Sequence, residues 1–225
     1  MDLLIPAAGL GTRMRGLPKF LLPIDNVYKT LLENHIELSL IHNKHLENIL
    51  IATRPEFLKI IKSLGLESKK IKVLTMETST MNETILNLLQ YSDSEYYQLI
   101  MPDTYFTKEQ PYGKLSHNPE LCDLAIWEIR NEQRGKLGEV EIDQNNIVKN
   151  IVDKKPESNF KYSWGALTFN SKLKKYINPL EPHIGYAIKS AIINKETITT
   201  KIIKGKYFDC GTPEEYLSLL KEELL

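Results

Sequence analysis

Apolar and polar positions along this chain follow two rhythms. Residues 3 to 9, LLIPAAG, form a short apolar run that suits a strand covered on both faces, and NILIAT at 48 to 53 forms another. Between them, YKTLLENHIELSLIHNK at 28 to 44 repeats its apolar positions at helical spacing. The alternation predicts a helix over 56–65 ending at Gly65, a strand over 70–76, a helix over 81–92 and a strand over 96–103. Single helices between strands imply right-handed crossovers and a parallel sheet with helices on both faces. In such open α/β folds ligands gather at the carboxyl ends of the strands.

Past residue 107 the rhythm changes. The pieces at 122–130, 137–143, 147–156 and 161–170 read as strands without long helices between them, which predicts antiparallel additions or a β-rich flap over the sheet. Helical stretches follow at 171–178 and 184–194, then a strand over 197–209. A closing helix spans 212–224, with Thr212 as N-cap, Pro213 at the first position and acids in the first turn. No linker, repeat or low-complexity segment intervenes. The expectation is an α/β fold in one domain over residues 1–225: an open, mostly parallel, doubly wound sheet with antiparallel β additions in the second half.

Composition narrows the function. Twenty-nine Lys and Arg balance twenty-nine Asp and Glu, so no global field draws the chain to nucleic acid or to an anionic membrane, and any anion site is local. No basic stripe with interleaved aromatics appears, which argues against a nucleic-acid partner. Cys122 and Cys210 lie far apart without CxxC spacing or a histidine cluster, so neither a disulfide framework nor structural zinc is expected. The start of the sequence, with Asp2 and no long apolar stretch, does not read as a signal peptide, and no run reaches the roughly 18 apolar residues of a membrane span. These features predict a cytoplasmic protein without a membrane partner. His35, His42, His45, His117 and His183 show no metal or triad spacing, and His35 and His42 read as ordinary helix-face residues.

The chemistry concentrates behind the first strand, in LLIPAAGLGTRMRGLPKFLLPI at 3 to 24. Gly9 and Gly11 let the backbone turn sharply and point successive N–H groups at one place, a nest that favours an anion. Arg13 and Arg15 add fixed charge suited to bidentate phosphate contacts, and Lys19, held after Pro18, adds a compact ammonium. The loop is not GxxxxGK[ST], because no glycine precedes Lys19, nor GxGxxG, because position 14 is methionine. Two glycines after a strand often make only a turn; three cations beside them favour a phosphate site.

The segment AAGLGTRMRGLPKFLLPI resembles the signature of the sugar nucleotidyltransferases, AAGxGTRM followed by PKxLxPI. Ala7, Ala8, Gly9, Gly11, Thr12, Arg13, Met14, Pro18, Lys19, Leu21, Pro23 and Ile24 match it. The resemblance implies that Ala7, Ala8, Gly9, Gly11, Thr12, Arg13 and Lys19 bind a nucleoside triphosphate, with Arg13 and Lys19 catalytic. Downstream, LIMPDTYF resembles the segment whose aspartate binds magnesium, which makes Asp103 a metal ligand, although Pro102 stands where the family has glycine. KYFDCGTPEEYL resembles W-x-D-[IV]-G-T-P-E-x-Y-L and makes Asp209 the second Mg²⁺ ligand, with Tyr207 in place of tryptophan. An aspartate at either place also suits a turn or a helix cap, but Thr212 already has the capping position before the last helix.

IVDKKPES resembles E-E-K-P, which implies that Lys155 holds the phosphate of the acceptor; Lys154 stands where the family often has a sugar-binding glutamate, with Asp153 one step earlier. YSWGALTF keeps Gly165 of the N-A-G-[IV]-Y pattern but has Ser163 for asparagine and an inserted Trp164. Lys154, Lys155, Trp164 and Gly165 are thus the acceptor-side candidates, and a second cation suits an acceptor with extra negative charge. TSTMNETIL at 78 to 86 lies where the family reads base and ribose, so Ser79 and Thr80 are candidates there; helix capping is the stronger reading for both.

The resemblance implies a Mg²⁺-dependent enzyme that joins a nucleoside triphosphate (CTP, UTP or dTTP) to a phosphorylated small molecule, first a sugar 1-phosphate, in nucleotide-sugar and cell-surface polysaccharide biosynthesis. It leaves a homodimer open. The short gap between Arg15 and Pro18 hints at CTP, and so at a cytidylyltransferase acting on a phosphocholine-like or phospho-amino-acid-like acceptor. A glycosyltransferase fits less well, since it wants D-x-D and the third residue here is Tyr105. A silent nucleotide-binding regulator would have lost cations or acids that this chain retains.

Overall fold

A computed structural model describes every residue except Thr12, Arg13, Glu67 and Leu225. Its strands are β1 (Asp2–Ala7), β2 (Ile49–Thr53), β3 (Ile71–Thr75), β4 (Tyr96–Ile100), β5 (Thr104–Phe106), β6 (Cys122–Glu128), β7 (Gly138–Ile142), β8 (Val148–Asp153), β9 (Tyr162–Asn170), β10 (Ile198–Ile202) and β11 (Tyr207–Asp209). Its α-helices are α1 (Leu31–His42), α2 (Leu58–Ser63), α3 (Met81–Leu88), α4 (Gly185–Ile193) and α5 (Pro213–Leu224).

Strand β1 is buried along its whole length and lies between β2 and β4, parallel to both. The main sheet runs β10-β6-β9-β4-β1-β2-β3. β9 is antiparallel to β4 and β6, β10 is parallel to β6, and the β7–β8 hairpin joins at β9. The expected parallel half with antiparallel additions is therefore present. Along β1, Leu3, Ile5 and Ala7 face a core closed by Leu32 and Ile36 of α1 and Ile61 of α2. Leu4 faces the other core, with Ile85 and Leu88 of α3 and Ile184, Ala187, Ile188 and Ala191 at α4. Burying each such aliphatic side chain contributes about 1.5–3 kcal/mol, so a strand apolar on both faces is held only between two helical layers.

Several elements are shorter than the sequence pattern suggests. The strand expected over 197–209 splits into β10 and β11 around Gly205, whose φ is +113°; a side chain there would overlap the Thr107 carbonyl. The strand over 96–103 ends at Ile100, and β5 begins only at Thr104. The helix over 171–178 is a 3-10 helix, Ser171–Tyr176, and the helices of 56–65 and 81–92 each contain a 3-10 turn. α1 begins at Leu31 because Thr30 and Glu33 form a capping box. No described helix is long and apolar enough to cross a membrane. Cys122 and Cys210 are both free and buried.

Candidate active site

The glycine loop leaves β1 at the carboxyl edge of the sheet. Gly11 has φ +62°, and a Cβ on it would stand 2.7 Å from the Leu17 carbonyl oxygen, so the turn requires glycine. Its carbonyl accepts from the Met14 and Gly16 amides at 2.8 and 3.1 Å, closing the loop on itself. Pro18 leads into a 3-10 turn, Lys19–Leu21, whose buried Phe20 meets the Phe57 ring edge-on. This anchoring leaves the Lys19 side chain at the cavity wall. Thr12 and Arg13, which the resemblance assigns to the nucleotide, lie outside the described residues.

A cavity of about 360 Å³ opens above this loop, lined by Ala7, Gly9, Gly11, Lys19, Ser79, Thr80 and Asp103 among others. Ala8 instead packs in the core. Thr80 caps α3: its hydroxyl accepts from the Glu83 amide at 3.0 Å and donates to the Pro179 carbonyl at 2.6 Å. Ser79 donates its amide to the Glu83 carboxylate at 2.7 Å. The capping reading is thus realised for Thr80, and both residues still border the cavity.

Asp103 and Asp209 meet through a two-stranded ribbon. β5 pairs antiparallel with β11, setting Thr104 opposite Asp209, and the Cys210 amide donates to the Asp103 carbonyl at 2.8 Å. Both carboxylates therefore line one cavity of about 150 Å³, together with Lys136, Gly138, Asp153, Lys154, Trp164, His183 and Tyr207. Lys19 Nζ lies 3.1 Å from Asp103 Oδ2, and Asp209 Oδ1 accepts from the Gly211 amide at 3.0 Å. The ribbon is fixed from behind: Gln133 Nε2 donates to the Tyr207 carbonyl at 2.8 Å, and Arg130 donates to it at 3.1 Å while stacking 4.3 Å over Phe208. Glu215 accepts from both, at 2.6 and 2.7 Å.

Among the described residues no group of three or more His, Cys, Asp or Glu side chains forms a metal site. Magnesium needs less. It binds through one or two carboxylates and completes its shell with water and phosphate oxygens, so the Asp103 and Asp209 oxygen donors fit it by chemistry.

The acceptor-side candidates separate. Lys154 adopts a left-handed backbone, φ +48°, just past the end of β8. That turn puts Lys154 on the cavity with the two acids and Lys155 on an adjoining recess. Trp164 lines both. Its indole lies over Gly138 and reaches toward Gly185, positions where a Cβ would crowd the ring. Gly165 has a different use: a Cβ there would overlap the Tyr207 ring, which is itself buried against Trp127 and Phe106. His183 Nε2 lies 3.0 Å from Asp153 Oδ2, and its Nδ1 accepts from the Gly185 amide at 3.2 Å. Burial raises the Asp153 carboxyl, but the His183 contact and the Lys154 charge outweigh burial and hold it below its usual range.

Sequence reasoning did not mark Lys136 and found no metal or triad spacing for His183, since neither stands in a recognisable motif. His35 lies on helix α1, as its spacing predicts, and the face it occupies is fully buried. The His35 Nδ1 lies 2.6 Å from the Tyr112 hydroxyl, and burial pushes the ring pKa down to about 4. The helical spacing was right, but Tyr112 and Thr104, which cover that face, come from distant sequence.

No family model and no curated protein matches the sequence. Solved structures do match. A UDP-glucose pyrophosphorylase complexed with UDP-glucose superposes with a TM-score of 0.78 at 20% identity, covering 98% of this chain and 97% of the other. A UTP-bound UGPase from Acinetobacter baumannii gives 0.75 at 16% identity, covering 98% and 92%. A protein from Bacillus anthracis designated a glucose-1-phosphate thymidylyltransferase, solved with sucrose, gives 0.79 at 16% identity, covering 99% and 94%. The chain therefore shares the fold of these solved proteins over nearly its whole length.

Proposed function

We propose that this chain is a nucleotidyltransferase that couples a nucleoside triphosphate to a phosphorylated small molecule and releases pyrophosphate. The observation that carries the reading is the β5–β11 ribbon, which sets Asp103 and Asp209 on one cavity beside Lys19 and the glycine loop. A sugar 1-phosphate is the first choice of acceptor, with CTP, UTP or dTTP as donor. The solved proteins of this fold include one complexed with UDP-glucose and one bound to UTP.

A phosphomonoester has a second pKa near ~6 and arrives mostly as a dianion, so attack needs no general base. An acceptor phosphate oxygen forms the new bond to the α-phosphorus, the bond to the β-phosphate oxygen breaks, and pyrophosphate leaves with that electron pair. The obstacle is repulsion between two polyanions. Lys19 and the loop amides, with Arg13 by resemblance, hold the triphosphate. By resemblance Lys155 holds the acceptor phosphate, and Lys136 and Lys154, which line the cavity with the two acids, add positive charge there. Mg²⁺ held by Asp103 and Asp209 would supply further charge neutralisation for the phosphates. The chain's own contribution is positioning and fixed charge in a partly closed cavity. The reading places the protein in the cytoplasm, without membrane or nucleic-acid partners, as one domain that either stands alone or forms a homodimer.

The test is a pyrophosphate-release screen of the common triphosphates against phosphorylated sugars, polyols, amines and amino acids. Release that depends on Mg²⁺ and is lost in Asp103→Asn and Asp209→Asn is the expected result. Triphosphate binding without release under any condition would favour a silent nucleotide-binding regulator. Release confined to CTP with a non-sugar phosphate would favour the cytidylyltransferase alternative.

A further inference from the structure

The turn that carries Asp103 rests on buried polar groups that the proposed reaction does not use. His35 of α1 is fully buried, and so are Tyr112 and Thr104, which enclose it. Thr104 Oγ1 donates to the Met101 carbonyl at 2.8 Å and so closes the turn around Asp103. His35 Nε2 stands 3.5 Å from that same hydroxyl oxygen, while His35 Nδ1 stands 2.6 Å from the Tyr112 hydroxyl. The Phe106 ring, with its centroid 5.7 Å from that of the imidazole, covers another side.

These contacts run in one direction. Because the Thr104 hydroxyl gives its proton to Met101, it can only accept from His35, so the proton of the neutral ring sits on Nε2. That leaves Nδ1 as an acceptor, and the Tyr112 hydroxyl donates to it. Many buried histidines only fill space with their polar atoms paired. An aliphatic side chain would fill this space without desolvating an imidazole, so what the imidazole adds is a directed contact on Thr104. Thr104 is the joint between the two acids. It follows Asp103 in the chain and lies opposite Asp209 in the β5–β11 register, where the Cys210 amide donates to the Asp103 carbonyl at 2.8 Å. A shift at this one residue therefore moves both carboxylates.

Resting on the reading of Asp103 and Asp209 as a divalent-metal pair, we infer that His35 is a positioning residue that sets the placement of the two carboxylates through Thr104. Tyr112 holds the ring in the tautomer that this requires. His35 itself touches neither substrate nor metal.

The test reads metal binding without turnover. Mn²⁺ alone is titrated into the protein and free Mn²⁺ is followed by electron paramagnetic resonance, counting only the binding that Asp103→Asn removes. The two amide variants divide the ring between them: the amide of His35→Gln reaches the place of Nε2 and keeps a donor to Thr104, whereas that of His35→Asn reaches only the place of Nδ1. The expected result is Mn²⁺ binding about 10-fold weaker in His35→Asn and within about 2-fold of the parent in His35→Gln. Thr104→Val should likewise weaken binding about 10-fold, and Thr104→Ser should restore it. A space-filling role predicts equal effects of the two amides. Equal effects, or parent-like binding in His35→Asn or Thr104→Val, would overturn the inference; if the His35 variants do not fold, the Thr104 pair decides alone. Absence of this Mn²⁺ binding from the parent protein would instead overturn the metal-pair reading, and the inference with it.

Discussion

Lys19 Nζ lies 3.1 Å from Asp103 Oδ2, a contact that spans 84 residues of sequence. Both side chains are mostly buried, 15% and 19% exposed, so each offsets the charge of the other where they line the cavity above the glycine loop. This pair ties the loop after β1 to the end of β4, the two strands that lie side by side in the sheet.

That contact gives the first prediction. Lys19→Met should lower the rate of pyrophosphate release by roughly 10²-fold to 10³-fold, the usual cost of losing one oriented charge in a transition state. Steady-state kinetics at saturating Mg²⁺ measures it, and a rate within a few-fold of the parent protein would remove Lys19 from the chemistry.

His35 gives a pH prediction. Its folded pKa is about 4 while an unfolded histidine titrates near 6.5, so between those values the unfolded chain binds the extra proton. Stability therefore rises with pH across this window and is lost as pH falls from 6.5 toward 4. The contribution at neutral pH is roughly 3 kcal/mol from the 1.36 kcal/mol carried by each pKa step. Urea unfolding at pH 7.5 and pH 5 should show a steeper loss for the parent than for His35→Gln.

Gly165 tests a structural use for a residue assigned to the acceptor by resemblance. Gly165→Ala puts a methyl group into the Tyr207 ring, and overpacking of this kind costs about 1–3 kcal/mol. Thermal unfolding should shift down by about 2–4 °C for each kcal/mol. An unchanged midpoint would mean that the ring moves aside freely.

Thr80 and Ser79 separate capping from nucleotide contact. Thr80→Ala removes the α3 cap and should cost about 1 kcal/mol, whereas Ser79→Ala keeps the amide bond to Glu83 and should leave the unfolding midpoint unchanged. A rise in the triphosphate KM for Ser79→Ala alone would mark Ser79 as the residue that touches the nucleotide.

The α/β class and the glycine loop were legible because each rests on local pattern, whereas Asp103 and Asp209 were singled out by resemblance to known motifs. Apolar runs of strand length alternate with helical spacing in the first hundred residues, and a turn that needs φ +62° at Gly11 declares itself as glycine. Contacts between distant segments leave no such mark. Nothing near residue 103 or 209 says that β5 and β11 pair, yet that register decides whether two acids share a cavity.

The same holds for the acceptor side. The sequence supplied the pair Lys154–Lys155 and the odd Trp164, but which lysine lines the cavity with the two acids follows from a left-handed backbone at Lys154. Local stereochemistry and hydrophobic period thus determined the elements and the loop, since both act within a few residues. Tertiary packing decided the site, because charges separated by some hundred residues come together only when the sheet orders its strands.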